Sequence, residues 1–84
     1  VVMACRSKER AKAALAEVTA GGGSAEIMVL DLGDTPTIKA FASSFTKKHD
    51  TLDILVNNAG LNTTGSYKGP TTTKQGYEIC MGTN

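Results

Sequence analysis

Three short apolar runs, separated by stretches with helical periodicity, constrain the fold of this sequence more than any other feature. The runs at residues 1–5, 27–30 and 52–56 are rich in valine, isoleucine and leucine, which predicts strands buried on both faces of a sheet. Strands that alternate with helices along a chain form a parallel sheet covered by helices on both sides. We therefore predict a doubly wound α/β domain that extends over residues 1–84.

The first helix is bounded by clear sequence signals. Ser7 is a predicted N-cap, and Ala11, Leu15 and Val18 follow at the spacing of one helical face. The three glycines at residues 21–23 predict the end of the helix. This pattern predicts an amphipathic helix between the first two strands.

Two further helices are predicted from their start signals. Thr35-Pro36 reads as a cap followed by proline in the first helical turn, and Asp34 is an alternative residue for the helix start. The segment from Thr72 to Gln75 fits a capping box, in which side chains bond the first free N–H groups of a helix. We therefore predict that the third helix begins within that segment.

The composition excludes several classes of function. A formal net charge of +1 at pH 7 gives no reason to expect nucleic acid or an anionic membrane as partner. The apolar runs are too short to span a bilayer, and no secretory signal opens the chain. Cys5 and Cys80 lack metal-site spacing, so we expect no metal and two reduced thiols in a cytoplasmic protein.

Ligands of doubly wound sheets bind beyond the carboxyl ends of the strands, so the residues that follow each strand matter most. In a dinucleotide-binding sheet, an acid at the end of the second strand accepts hydrogen bonds from the hydroxyls of the adenosine ribose. Arg6 occupies that position here, and its guanidinium suits a dianionic 2′-phosphate instead. Asp31 can accept from an exocyclic amine, while the backbone of Leu32 reads the edge of a ring. The alternatives are a solvated loop arginine and a loop or capping aspartate.

The third predicted strand ends in Asn57, Asn58, Ala59 and Gly60. An asparagine amide both donates and accepts, so it can bond neighbouring strands where the regular ladder ends. Ala59 and Gly60 have almost no side chain, so a ribose or flat ring can lie against the main chain. The alternative is a polar turn after a strand, which explains one asparagine and one glycine but not the doubled amide.

These motifs together resemble one known family. The run LDILVNNAG is similar to the signature of the short-chain dehydrogenase/reductase family, and MACR, LDL and GYEICMGTN follow the family order and spacing. In detail the sequence resembles the branch with retinol dehydrogenases, WW-domain oxidoreductase and protochlorophyllide reductase. The resemblance implies a Rossmann-like fold, represented here by its second to fourth strands, and NAD(P)-dependent hydride transfer.

The resemblance also implies a role for each candidate residue. Arg6 would bind the 2′-phosphate, which favours NADP(H) over NAD, while Asp31 and Leu32 would contact adenine. Residues 57–60 would support the sheet and pass beside the adenine ribose. Asn84 matches the asparagine of the catalytic tetrad, which bends its helix and holds a water in the proton relay. The alternative for Asn84 is a helical asparagine that faces solvent.

Several family features fall outside these 84 residues. The glycine-rich phosphate loop would precede Val1, and the catalytic serine and Tyr-x-x-x-Lys pair would follow Asn84. We therefore expect an internal fragment that is inactive alone. We also expect an unoccupied strand position between residues 1–5 and 52–56, where the family's first strand would lie. The parent would act on a small alcohol or carbonyl compound.

Other properties of the parent protein stay open at the sequence level. A nucleotide-sensing or scaffold protein that keeps the fold without the chemistry is the alternative to the enzyme. The sequence also leaves open a homo-oligomeric parent and a membrane anchor outside these residues.

Overall fold

The structure, a computed structural model, describes residues 1–84 and contains two strands and three helices. In chain order these are β1 (Val2–Cys5), α1 (Lys8–Ala20), β2 (Glu26–Val29), α2 (Thr35–Lys48) and α3 (Ile79–Thr83). The chain divides into two units, Val1–Asp31 and Leu32–Asn84. No helix has the length and apolar character needed to cross a membrane.

The first unit is a strand–helix–strand element with parallel strands. β1 pairs with β2 in a register that places Val2 beside Glu26 and Cys5 beside Val29. The ladder continues at its carboxyl end, where the Leu30 N–H donates to the Cys5 carbonyl at 3.0 Å. Helix α1 packs on these strands. The predictions of the first two strands and of a parallel Rossmann-like α/β arrangement are therefore confirmed.

The ends of α1 are fixed by local chemistry, as the sequence predicts. The Ser7 hydroxyl accepts a hydrogen bond from the Arg10 N–H at 3.4 Å. At the other end Gly22 has a φ of 82°, the left-handed conformation in which glycine is favoured. The N–H groups of Gly22 and Gly23 donate to the carbonyls of Thr19 and Val18 at 3.0 and 2.9 Å, which closes the helix in a Schellman motif.

The third predicted strand does not form. Residues 52–56 have no strand structure, and Ile54 and Val56 are 79% and 73% exposed. A strand exists only when its backbone groups pair with a neighbour, and the sheet contains β1 and β2 alone. The apolar pattern of this segment is that of a buried strand, but no neighbouring strand pairs with it.

The second unit begins with α2, whose start differs by one residue from the first interpretation. Asp34 occupies the N-cap position, and Thr35 and Pro36 are the first helical residues. The phenyl rings of Phe41 and Phe45 stack with centroids 6.3 Å apart along one side of the helix. Neither ring is fully buried, so the apolar stripe of α2 is only partly covered.

The prediction that the third helix starts within residues 72–75 is wrong. Helix α3 begins at Ile79, and the Glu78 carboxylate caps it by accepting from the N–H groups of Cys80 and Met81 at 3.0 and 2.9 Å. The preceding residues form a tight turn in which Thr72 pairs with Glu78. Gly76, with a φ of 86°, makes this turn possible.

Candidate nucleotide-binding site

Two of the predicted site residues lie at the same edge of the two-stranded sheet. β1 and β2 are parallel, and Cys5 pairs with Val29, so both carboxyl ends are at one edge. Arg6 follows Cys5 directly and is exposed, whereas Asp31 lies two residues beyond Val29 and is half-buried. The fold therefore places a cation and an acid together where the ligands of such sheets bind.

The side chains at this edge can bind an anion and an amine. An exposed guanidinium presents a planar set of donors to a dianionic phosphate. Arg6 also immediately precedes the N-terminus of α1, which begins after Ser7 and adds a partial positive charge near the same place. A carboxylate such as Asp31 can accept from an amine on the base.

The second unit contains the remaining predicted cofactor residues. Leu32 is half-buried in the turn before α2, and residues 57–60 are all exposed. The Asn58 N–H donates to the Val56 carbonyl at 3.0 Å, which turns the chain sharply at this point. A methyl group added at Gly60 would meet no atom within 4 Å, so the space beside its Cα is open to a ligand. A role for Asn57 and Asn58 in joining strands stays a prediction.

Asn84 bonds the backbone at the residue that follows Gly60. Its amide nitrogen donates to the Leu61 carbonyl at 2.8 Å, and its amide oxygen accepts from the Leu61 N–H at 2.7 Å. Both functions of the amide are thereby used, which fixes its orientation. The residue predicted to be catalytic is thus held next to the predicted ribose-binding segment. Sequence reasoning could not find Leu61, because only its backbone takes part.

A cluster of polar residues, which the sequence pattern assigned to two separate helix starts, joins α2 to the turn before α3. We call Asp34, Thr35, Lys74 and Gln75 the α2 clamp. Asp34 is only 7% exposed, and its carboxylate lies 2.9 Å from the Lys74 ammonium. The hydrogen bond from Lys74, the largest influence, lowers the pKa of Asp34 below its ordinary value.

The Gln75 side chain completes the clamp. Its oxygen accepts from the Thr35 N–H at 3.1 Å, which satisfies a free donor in the first turn of α2. The sequence pattern therefore identified a capping side chain of the right type but assigned it to the wrong helix. Nothing in the sequence shows that residues 40 positions apart meet.

Comparison with known proteins defines the family. The family described as short chain dehydrogenase matches residues 1–84, the whole chain. The chain belongs to the short-chain dehydrogenase/reductase family, a class of oxidoreductases that use NAD(P) nucleotides. No solved structure matches the chain.

Individual relatives support the branch predicted from the sequence. The chain is 40% identical over 72 residues to dehydrogenase/reductase SDR family member 13 of Bos taurus, which covers 83% of this chain and 19% of the relative. It is 36% identical to retinol dehydrogenase 11 of Mus musculus, over 100% of this chain and 26% of the relative. It is 34% identical to the chloroplastic protochlorophyllide reductase of Pisum sativum, over 100% of this chain and 21% of the relative. The chain thus spans about a fifth to a quarter of the length of these relatives.

Proposed function

We propose that these residues form the adenosine-binding part of an NADP(H)-dependent short-chain oxidoreductase. The proposal rests mainly on the position of Arg6. This residue follows β1 at the same edge of the sheet where Asp31 follows β2. An acid at the position of Arg6 would favour the free ribose hydroxyls of NAD(H), whereas a guanidinium pairs with a 2′-phosphate.

The other predicted cofactor residues support the same proposal through their chemistry. Asp31 accepts from the adenine amine, and Leu32 lines the adenine ring. The open space beside Gly60 leaves room for the adenine ribose to lie on the backbone, with Ala59 equally small beside it. Asn57 and Asn58 support this segment through the donor and acceptor groups of their side-chain amides.

The reaction proposed for the gene product is hydride transfer to or from a small alcohol or carbonyl compound. Relatives named retinol dehydrogenase support an alcohol of small-molecule size as the class of substrate. The bound nicotinamide would supply the hydride chemistry. Asn84, oriented by Leu61, would hold a water in the proton relay. We propose a cytoplasmic location for this activity.

Replacement of Arg6 tests the cofactor preference in the complete gene product. A charge-assisted hydrogen bond contributes about 1.5–3 kcal/mol, so Arg6→Ala should lower the ratio of kcat/KM for NADPH over NADH by about 10- to 100-fold. Arg10→Ala, which removes an exposed arginine in the first turn of α1, is the matched control and should leave the ratio unchanged. An unchanged ratio in Arg6→Ala would overturn the assignment of NADP(H).

The same preparation separates the enzyme from the non-catalytic alternative. NADPH binding together with oxidation or reduction of alcohols and carbonyl compounds supports the enzyme. Tight NADPH binding without turnover of any alcohol, aldehyde or ketone in a broad panel would instead identify a nucleotide sensor or scaffold.

A further inference from the structure

The α2 clamp joins two segments that are distant in sequence. Besides its ion pair with Lys74, the Asp34 carboxylate accepts from the Gln75 amide nitrogen at 3.4 Å. The Lys74 N–H donates to the Gly33 carbonyl at 3.2 Å. Side-chain and backbone contacts therefore tie residues 33–35 to residues 74–75, and they do so around a buried carboxylate.

An unusual division of roles marks the start of α2. Asp34 occupies the N-cap position, where an aspartate ordinarily bonds an N–H of its own helix, but its side chain makes no such bond. The Gln75 side-chain oxygen caps the helix in place of Asp34. It accepts hydrogen bonds from both the N–H and the hydroxyl of Thr35, at 3.1 and 3.3 Å. The carboxylate of Asp34 is thereby left to bond Lys74 and Gln75.

The turn that contains Lys74 and Gln75 is closed by its own hydrogen bonds. The Thr73 N–H donates to the Tyr77 carbonyl at 2.8 Å, and the Tyr77 N–H donates to the Thr73 hydroxyl at 3.2 Å. Thr73 and Ile79 are both buried, and Gly82 of α3 lies directly against Thr73. A displacement of residues 74–75 would therefore be passed to α3 as a unit.

Helix α3 carries Asn84 at its C-terminal end, where the side chain bonds Leu61. The helix has only five residues, so it gives little stability of its own. Its position depends on the turn packed against it and on the Glu78 cap. The orientation of the Asn84 amide thus depends on contacts made far from Asn84 itself.

We infer that Lys74 and Gln75 are positioning residues for Asn84, and that the α2 clamp sets the geometry of the proton relay. This inference rests on the proposed function in one respect, namely that Asn84 takes part in catalysis. Neither residue has a role in the cofactor or substrate contacts proposed above. Within the second unit, the clamp joins residues 33–35 to residues 74–75 of the turn that packs against the helix that carries Asn84.

The test uses Gln75→Ala and Lys74→Ala in the complete gene product, with two readouts. The first is hydrogen exchange at the Leu61 N–H, which the Asn84 oxygen protects; we expect exchange about tenfold faster in both variants. The second is kinetics, in which we expect kcat to fall about tenfold while the KM for NADPH changes by less than about twofold. Lys68→Ala, at an exposed lysine of the same loop, is the matched control and should alter neither.

Conservative variants distinguish positioning from a loss of folding. Lys74→Arg keeps a cation beside Asp34 and should restore kcat, whereas Gln75→Asn is too short to reach Thr35 and should behave like Gln75→Ala. If Thr35 N–H exchange accelerates in Gln75→Ala while Leu61 exchange and kcat stay at wild-type values, the clamp does not position Asn84 and the inference is overturned. Should the wild-type protein prove inactive, the proposed function fails, and Leu61 exchange alone still decides whether the clamp holds Asn84.

Discussion

Asp34, Glu78 and Asn84 show how single polar side chains organise the second unit. Each bonds a group outside its own residue: Asp34 bonds Lys74, Glu78 bonds the first N–H groups of α3, and Asn84 bonds Leu61. Backbone groups at helix ends and in loops have no partner within regular structure. Side chains that supply those partners therefore determine where the loop residues lie.

The two carboxylates among these side chains, Asp34 and Glu78, predict a dependence of stability on pH. The pKa of Asp34 lies below its ordinary value of 3.8 because of Lys74, and the pKa of Glu78 lies below 4.5 because of the Cys80 and Met81 N–H groups. A carboxylate with a lowered pKa in the folded state stabilises the protein above its ordinary pKa. That contribution is lost as the pH falls from about 4.5 through the two lowered values.

Urea unfolding at a series of pH values below 5 measures this effect. Asp34→Asn should lose less stability on acidification than the wild-type protein, because the titrating carboxylate is gone. Lys74→Ala should also flatten the profile, since the main cause of the lowered pKa of Asp34 is removed. Identical acid profiles for all three proteins would contradict the role given to the ion pair.

At the scale of secondary structure, the elements predicted correctly are those whose determining residues lie close together in the sequence. Helix α1 has its N-cap, its apolar residues and its terminal glycines within one continuous stretch. The strands β1 and β2 are joined by that helix and pair with each other. The sequence at residues 52–56 has an equally strong preference for a strand. A strand, however, needs hydrogen bonds to the backbone of a neighbouring strand, and no strand lies beside this segment.

The start of α3 and the α2 clamp illustrate a second limit. Residues 72–75 include a side chain that does cap a helix. However, Gly76 turns the chain, and Gln75 bonds the Thr35 N–H in the first turn of α2 rather than an N–H group of its own segment. Sequence spacing predicts which side chains can cap a helix, not which helix they meet. The Arg6 and Asp31 positions, by contrast, follow from strand order and were predictable.

Packing of α3 against the turn predicts the effect of an added methyl group. In Gly82→Ala the new Cβ would collide with Thr73 Cγ2 and lie 2.9 Å from Tyr77 Cβ. Alanine favours a helix over glycine by about 1 kcal/mol, yet we expect net destabilisation of about 1–3 kcal/mol from overpacking. The free energy of unfolding in urea measures this change.

A second substitution isolates the collision as the cause. Thr73→Ser removes Cγ2 but keeps the hydroxyl that accepts from the Tyr77 N–H. In the Gly82→Ala background it should recover part of the lost stability, although in the wild-type background it removes a buried methyl group. Full additivity of the two substitutions would mean that the methyl groups do not meet.

At the scale of the whole molecule, the chain buries few apolar side chains. Ala11, Met28 and Ile79 are the buried hydrophobic residues, whereas Leu55 and Val56 are 68% and 73% exposed. β1 also has one unpaired edge in the two-stranded sheet. An open sheet edge and an exposed strand-like segment favour association between chains.

We therefore expect a protein limited to residues 1–84 to self-associate and to bind NADPH weakly. Sedimentation should show concentration-dependent association, and Ile54→Lys should reduce it by placing a charge in the exposed apolar segment. Lys39→Ala, on the exposed side of α2, is a control that should not reduce association. A monomer with a cooperative thermal transition and micromolar affinity for NADPH would contradict this expectation.

The most direct test of the central claim is a crystal structure of the complete gene product with NADP(H) bound. We predict that the Arg6 guanidinium contacts the 2′-phosphate, that Asp31 accepts from the adenine amine and that the ribose lies against Gly60. A structure in which the 2′-phosphate is bound by other residues, with Arg6 and Asp31 away from the adenosine, would contradict it.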